Sequence, residues 1–390
     1  MRAHHGREAL IRRSRGHVPE PVAVRARFPR PVLACGAELK NTFCLAKDRR
    51  AVISHHIGDL ENTETLRSFT EGITHFAALF DITPQVVAYD LHPEYLSTKY
   101  ALDLDGVEHC GVQHHHAHIA SCLADNREEG PVIGVAFDGT GYGTDGTLWG
   151  GEFLIADMAG FQRGGHLAPV PMPGGAAAIK QPWRMAAAYL AAAYPGGPPD
   201  GLDVIARNQR YWPAVVALAA KGINAPLSSS AGRLFDAVAA LAGVRDTINY
   251  EGQAAVELEQ LADPGETGTY RAGISAHEPF CIEGADLVRA AAGELADGTA
   301  APVVAARFHN GVAALVTDGC VLLRERYGLS TVALSGGVFQ NLIVAHRAAA
   351  RLEARGFRVL THSRVPCNDG GISLGQAVVA AARDRAALVP

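Results

Sequence analysis

The chain has no C-x-x-C pair. Its seven cysteines, Cys35, Cys44, Cys110, Cys122, Cys281, Cys320 and Cys367, are odd in number and scattered. This excludes a zinc ribbon and a disulfide framework and fits reduced thiols in a cytosolic protein. A run of about eighteen apolar residues is also missing, so no membrane span is expected. The Arg-rich first thirty residues lack the apolar stretch of a secretory signal. Charge of one sign is scarce: a net −5 with 19% charged residues sets up no basic field for nucleic acid. The expectation is a cytoplasmic protein with no nucleic-acid and no membrane partner. Apolar residues are abundant, at 48% of 390 residues, enough for a large core and two or three folding units.

Residues 1–30, with Pro19, Pro21 and Pro29 and no hydrophobic periodicity, read as a tail. PVLACGAELKNTFCLA (31–46) reads as two strands around a Gly-containing turn, and AVISHHIGD (51–59) as a third strand of a meander. In 61–80, Leu66, Phe69, Ile73, Phe76 and Phe80 recur every three or four residues, which predicts a helix with one apolar face. VVAYD (86–90) suits a buried parallel strand ending in an acid. A helix is expected at 113–125, a strand at 131–143 running into a Gly-rich turn, and a returning strand at 147–157. Residues 183 to about 330 are Ala-rich and mostly helical, 331–341 holds a strand with a Gly-Gly turn into a helix, and 365–384 closes with a turn and a last helix. This rhythm predicts an α/β, two-lobed, actin-like (ribonuclease-H-like) ATPase fold, a duplicated mixed β-sheet with flanking helices. The expected division is a tail at 1–30, a first lobe at 31–165 and a second at 166–390 that includes the C-terminal helix.

The chemistry concentrates in a few segments. In QHHHAHIASCLA (113–124), His114 and His118 stand four apart, so on a helix they share a face and can ligate one metal. The same spacing also suits a packed helix, and a metal needs further donors. Asp138, ending a strand, and Asp369, at the turn opening the last helix, can supply them, although Asp369 equally suits a helix N-cap. GTGYG (139–143) is not a dinucleotide fingerprint, because a strand rather than a helix follows it. Such a turn can instead offer backbone N–H groups to phosphates. CGAELKNTFC (35–44) has the same shape, with Lys40 as counter-charge and Asn41 and Thr42 as donors. SGGVFQN (335–341) lets backbone approach a ligand at a helix start. In SSSAGRLFDAVAALAG (228–243), Gly232 and Asp236 suit either ribose or adenine contact or an ordinary capped helix.

Taken in order, ACGAELKNTFCL, VQHHHAHIASCLA, VAFDGTGYGTDGTLWGGEFL, SSSAGRLFDAVAAL, LSGGVFQN and CNDGGISLGQ resemble the C-terminal half of HypF-type carbamoyltransferases of hydrogenase maturation, over about residues 10 to 385. TsaD-like tRNA threonylcarbamoyl transferases and antibiotic O-carbamoyltransferases share the fold and the H-x-x-x-H. The resemblance implies a metal, iron or zinc, on His114, His118, Asp138 and Asp369, which are also the catalytic residues. It implies ATP, AMP or carbamoyl adenylate at Gly336, Gly337 and Asn341, with Gly232 and Asp236 near the ribose, Gly139 and Thr140 at the phosphates, and Lys40 beside them. The acylphosphatase, C-x-x-C zinc and YrdC-like regions of full HypF proteins are not in this sequence, and IRRSRGHVPEP (11–21) looks like the end of the YrdC-like part. Ala176 stands where the family usually has a polar or acidic residue.

The implied reaction transfers a carbamoyl group from carbamoyl adenylate, itself made from carbamoyl phosphate and ATP, to the C-terminal Cys of a HypE-like acceptor. A separate YrdC-like enzyme or a full-length HypF would supply the adenylate. Three alternatives stand beside it. One is O-carbamoylation of a small molecule. Another is a non-catalytic nucleotide-binding partner of HypE or of a full-length HypF. The third is a kinase-like phosphotransferase, which would need a catalytic acid near Asp90 or Asp138 and would give no reason for the H-x-x-x-H.

Overall fold

The computed structural model describes residues 2–4 and 7–387. The strands are β1 (Arg2–His4), β2 (Arg7–Ala9), β3 (Val22–Ala34), β4 (Cys44–Ile53), β5 (Val86–Asp90), β6 (Glu108–Val112), β7 (Val132–Tyr142), β8 (Leu148–Ala156), β9 (Phe161–Leu167), β10 (Val170–Pro171), β11 (Leu227–Ser228), β12 (Phe280–Ile282), β13 (Thr331–Ser335) and β14 (Arg358–Leu360). The first helices are α1 (Thr63–Phe80), α2 (Leu96–Leu102) and α3 (His114–Asp125). The Ala-rich middle forms α4 (Ala176–Lys180), α5 (Pro182–Ala193), α6 (Asp203–Arg207), α7 (Trp212–Lys221), α8 (Ala231–Leu241), α9 (Gln253–Leu261), α10 (Gly284–Ala296) and α11 (Ala301–Tyr327), and α12 (Leu342–Ala354) and α13 (Ile372–Ala387) follow.

Two sheets repeat one plan. The first has the order β4-β3-β5-β6, and the second contains β8-β7-β13-β14. In each, a hairpin pairs antiparallel and the next two strands lie parallel to its first strand. This is the duplicated actin-like, ribonuclease-H-like architecture. The helix α1 forms as its periodicity requires: Phe69, Ile73 and Phe76 are buried, and Asn62 caps the start by accepting from the Thr65 N–H at 2.8 Å.

Helices α3 and α13 pack against each other at the centre. The contact is close because Gly375 has no side chain: a Cβ there would lie 1.9 Å from the Ala117 carbonyl oxygen. On its other face α3 meets β7, where a Cβ on Gly134 would collide with Ile119. Among the described residues no helix is long and apolar enough to cross a membrane.

Three expectations change. Residues 9–30 are not a tail: β3 begins at Val22, Leu10 is buried, and the buried Arg13 guanidinium donates to the carbonyls of Arg364 (2.8 Å) and Glu20 (2.9 Å), while Met1, His5 and Gly6 lie outside the described residues. The prolines misled because Pro29 lies where the β3 register is irregular, between Phe28 and Val32, and needs no ladder hydrogen bond. The expected three-strand meander is two longer strands: Lys47–Arg50 looks like a turn but continues β4 through solvent, with Asp48 at φ +57°. The sheets divide the chain between Val112 and Val132, not near residue 165. Strands β7 to β9 belong to the second sheet, and α13, placed in the second lobe by the sequence, contributes to the core of the first, with Val86, Ala88, Ile372 and Val379 in one cluster.

Candidate active site

The centre of the molecule brings four donors together. His114 and His118 occupy the first two turns of α3, and Gln113 caps the helix by accepting from the His116 N–H at 2.9 Å. Asp138 lies in β7 where the pairing with β8 slips between Phe137 and Gly141, a bulge that re-aims its side chain. Asp369 lies in the turn before α13. It was a candidate N-cap, but Asn368 takes that role by accepting from the Gly370 N–H at 2.9 Å, which leaves the Asp369 carboxylate for the cluster. One ligand atom from each of the four lies within 4.8 Å of the others, and all four residues are buried. His114 Nε2 and His118 Nε2 each stand 3.3 Å from Asp138 Oδ2, and His118 Nε2 is 3.8 Å from Asp369 Oδ1.

Charges in the cluster are strongly perturbed. Burial drives the Asp138 carboxyl up, but the hydrogen bonds from His114 and His118 outweigh it and hold the group well below the usual carboxylate range. Burial, reinforced by Asp138, pushes Asp369 up to about 6. Burial opposes charge on His114, yet Asp90 and then Asp138 hold the imidazole well above its ordinary value. Two imidazoles and two carboxylates converging in a buried pocket are a donor set suited to iron, zinc or manganese.

From the sequence Asp90 is a candidate only for the catalytic acid of a kinase-like alternative, not for a part in the metal cluster. Its Oδ2 accepts from His114 Nδ1 at 2.7 Å, with both side chains fully buried. The bond fixes the imidazole with Nε2 toward the cluster. The available signal was the acid ending the apolar run VVAYD. Ser335 is the corresponding contact for His118, with Oγ 3.4 Å from Nδ1 and 2.8 Å from His362 Nε2. The neighbouring histidines face elsewhere: Gln113 Nε2 donates to His115 Nδ1 at 3.2 Å, and His116 Nε2 donates to the Asp157 carbonyl at 2.8 Å.

Beside the cluster is a cleft of about 1340 Å³, its open mouth included, and Asp138 lines both. Lys40, Gly139, Gly232, Asp236, Gly337 and Asn341 line it, and Gly336 and Thr140 are not on its wall. Gly336, at φ +104°, is required by the backbone: a Cβ would lie 2.1 Å from the Phe137 carbonyl oxygen. The Thr140 hydroxyl donates to the Gly139 carbonyl at 2.6 Å. The Gly337 N–H is committed to Asp138 Oδ1 at 2.9 Å, so it steadies a cluster carboxylate. Gly232 lets α8 approach β7, since its Cβ would lie 2.9 Å from the Gly139 Cα. Asp236 pairs with Arg233 at 2.8 Å. Asn341 caps α12, accepting from the Val344 N–H at 3.1 Å, and donates to His309 Nε2 at 2.9 Å. Asn41 and Thr42 are not on the cleft wall: Asn41 holds its own loop by donating to the Cys35 carbonyl at 2.9 Å, and Thr42 ties that loop to α13, with its Oγ1 2.7 Å from Ser373 Oγ.

Behind β8 is a second buried network the sequence did not indicate. Glu152, fully buried, accepts from Arg163 Nε at 2.7 Å and Ser229 Oγ at 2.6 Å, and the Arg163 guanidinium lies 4.0 Å over Trp149. Ser229 precedes Ser230, the cap of α8, whose hydroxyl reaches the Asp138 and Gly139 carbonyls. The network therefore braces the bulge that carries Asp138.

Residues 27–125 match the family model described as the HypF Kae1-like domain, and residues 134–376 match that of the carbamoyltransferase, Kae1-like domain, second subdomain. The chain is 42% identical to carbamoyltransferase HypF2 of Cupriavidus necator, covering 96% of this chain and 49% of that protein. It is 39% identical to a HypF homolog of the same organism, covering 92% of this chain and 94% of that one. Its fold superposes on a crystal structure of full-length HypF in a phosphate- and nucleotide-bound form with a TM-score of 0.92 at 41% identity, over 97% of this chain and 50% of the other. The chain thus spans about half the length of most of the curated relatives it matches.

Proposed function

The chain belongs to the HypF carbamoyltransferase family, and from that premise we propose that it transfers a carbamoyl group from carbamoyl adenylate to a thiol in hydrogenase maturation. The observation that carries this reading is the convergence of His114, His118, Asp138 and Asp369 at the end of a cleft large enough for an adenine nucleotide. The similar full-length HypF was solved with nucleotide and phosphate, which supports the same use of the cleft here.

In this reading the four converging residues hold one metal ion. When bound, that ion supplies Lewis-acid stabilisation of charge developing on the adenylate phosphate. Asp90 keeps His114 in the tautomer that leaves Nε2 facing the cluster. The Gly337 N–H fixes the Asp138 carboxylate. Gly139 borders the phosphate, and Gly232, Asp236 and Asn341 border the nucleoside. The acceptor thiolate attacks the carbamoyl carbon, a C–S bond forms, the C–O bond to the phosphate breaks, and AMP leaves with the electron pair. A thiolate is nucleophilic near neutral pH, so no strong protein base is required. The proposed acceptor is the C-terminal Cys of a HypE-like protein, and the proposed source of adenylate is a YrdC-like enzyme or a full-length HypF.

The test is intact-mass measurement of HypE incubated with this protein, with and without a YrdC-like enzyme, carbamoyl phosphate and ATP, and with His114→Ala in parallel. The expected result is one carbamoyl mass on the C-terminal Cys when adenylate is supplied, lost in the variant. No mass gain with HypE still bound would overturn the transfer and leave a binding partner.

A further inference from the structure

An ion pair spans the cleft. Lys40, in the loop that follows β3, meets Glu251, in the loop that precedes α9. The Lys40 loop is built to aim it: its backbone is left-handed at φ +48°, and its N–H donates to Asp59 Oδ1 at 3.0 Å. The Glu251 carboxylate hangs over the β7 bulge, where a Cβ on Gly139 would find Glu251 Oε1 at 3.8 Å. Lys40, a cation on the cleft wall, is therefore already held by an anion of the protein. Arg233 on the same wall is likewise paired, with Asp236 at 2.8 Å, which leaves Arg12 as the third basic residue of the lining.

We propose that Glu251 sets the charge class of ligand this cleft accepts, favouring an adenine nucleotide with a single negative charge at its phosphate over di- and triphosphates. The inference rests on the reading above that the cleft binds an adenylate, and it deepens it. A carbamoyl adenylate carries one phosphate charge, so it can share Lys40 with Glu251. Each further phosphate brings negative charge toward a carboxylate whose counter-ion is already engaged, and repulsion grows with each one. The chain would thus discriminate the activated donor from the ATP used to make it by charge alone, before any contact with the carbamoyl group.

The experiment is calorimetric titration of the purified, metal-loaded protein with AMP methyl ester, AMP, ADP and ATP. Wild type is compared with Glu251→Gln, which keeps the side chain's shape, and Lys40→Ala. Wild-type affinity is expected to fall along that series. Glu251→Gln should tighten ATP about tenfold, equivalent to ~1.4 kcal/mol, and the methyl ester far less. The gain should shrink as salt is raised. Lys40→Ala should weaken all four ligands. Equal shifts for all four in Glu251→Gln, or a wild type that prefers ATP, would overturn the selectivity while leaving the nucleotide site intact. Failure of wild type to bind any of the four would overturn the underlying reading as well.

Discussion

Replacing Asp90 by Asn tests whether the donor cluster depends on a carboxylate that contributes no ligand atom of its own. Asp90 Oδ2 accepts from His114 Nδ1 at 2.7 Å, and Oδ1 accepts from the His92 N–H at 2.9 Å. Both the carboxylate and the imidazole are fully buried, so water cannot replace either bond. Asn preserves the shape but has one acceptor oxygen for two donors. If that oxygen stays with His92, an amide NH₂ faces His114 Nδ1–H and the imidazole must turn or change tautomer. If it turns to His114, the bond survives without its charge and the His92 N–H is orphaned. Loss of such an outer partner typically lowers metal affinity about 10–100-fold, which is ~1.4–2.7 kcal/mol. Chelator competition with zinc and with ferrous iron, on wild type and Asp90→Asn, measures this directly. Thermal melting would show that the variant is folded, and AMP titration that the cleft is intact. An unchanged metal affinity in a folded variant would refute the reasoning, because His114 would then be held by its packing alone.

Metal affinity should rise with pH. Burial and Asp138 push Asp369 up to about 6, and Asp90 and Asp138 hold His114 well above its ordinary value despite burial. The protonated forms compete with the ion, so binding releases those protons and tightens as pH climbs through about 6 and beyond; a flat profile in competition assays would contradict this. Glu152→Ala should destabilise the fold by ~1–3 kcal/mol in urea denaturation, since Ser229 loses its buried acceptor while Arg163 keeps only its pair with Asp145 at 3.1 Å. A cost near zero would mean the network does not brace the bulge. Gly375→Ala should cost at or above the top of ~1–3 kcal/mol, because the added Cβ has to displace the Ala117 carbonyl from 1.9 Å, whereas Gly160→Ala, with nothing within 4 Å, should be close to neutral in the same urea titration.

Much of this molecule is legible from local pattern alone. Helix α1 follows from the spacing of Phe69, Ile73 and Phe76, and the shared face of His114 and His118 follows from their separation of four on α3. These are properties of one turn of helix, and no distant residue can alter them. Asp138 and Asp369 could be nominated from their positions at the ends of elements, but a nomination is not a site. They meet because β7 and α13, 231 residues apart at those two aspartates, both pack against α3. Whether Asp369 caps a helix or faces the cluster was decided by its neighbour Asn368 taking the cap. Asp90 acquired a role only when the parallel pairing of β5 with β6 delivered its carboxyl end beside the start of α3. The division into two sheets was hidden for the same reason: strand pairing and helix docking depend on the surfaces that meet, not on order along the chain, so α13 could join the first sheet after the second was complete. Lys40 and Glu251, 211 residues apart, show this most clearly. In the sequence Lys40 reads as a phosphate counter-charge and Glu251 is not singled out, and only the closed fold sets one against the other across the cleft.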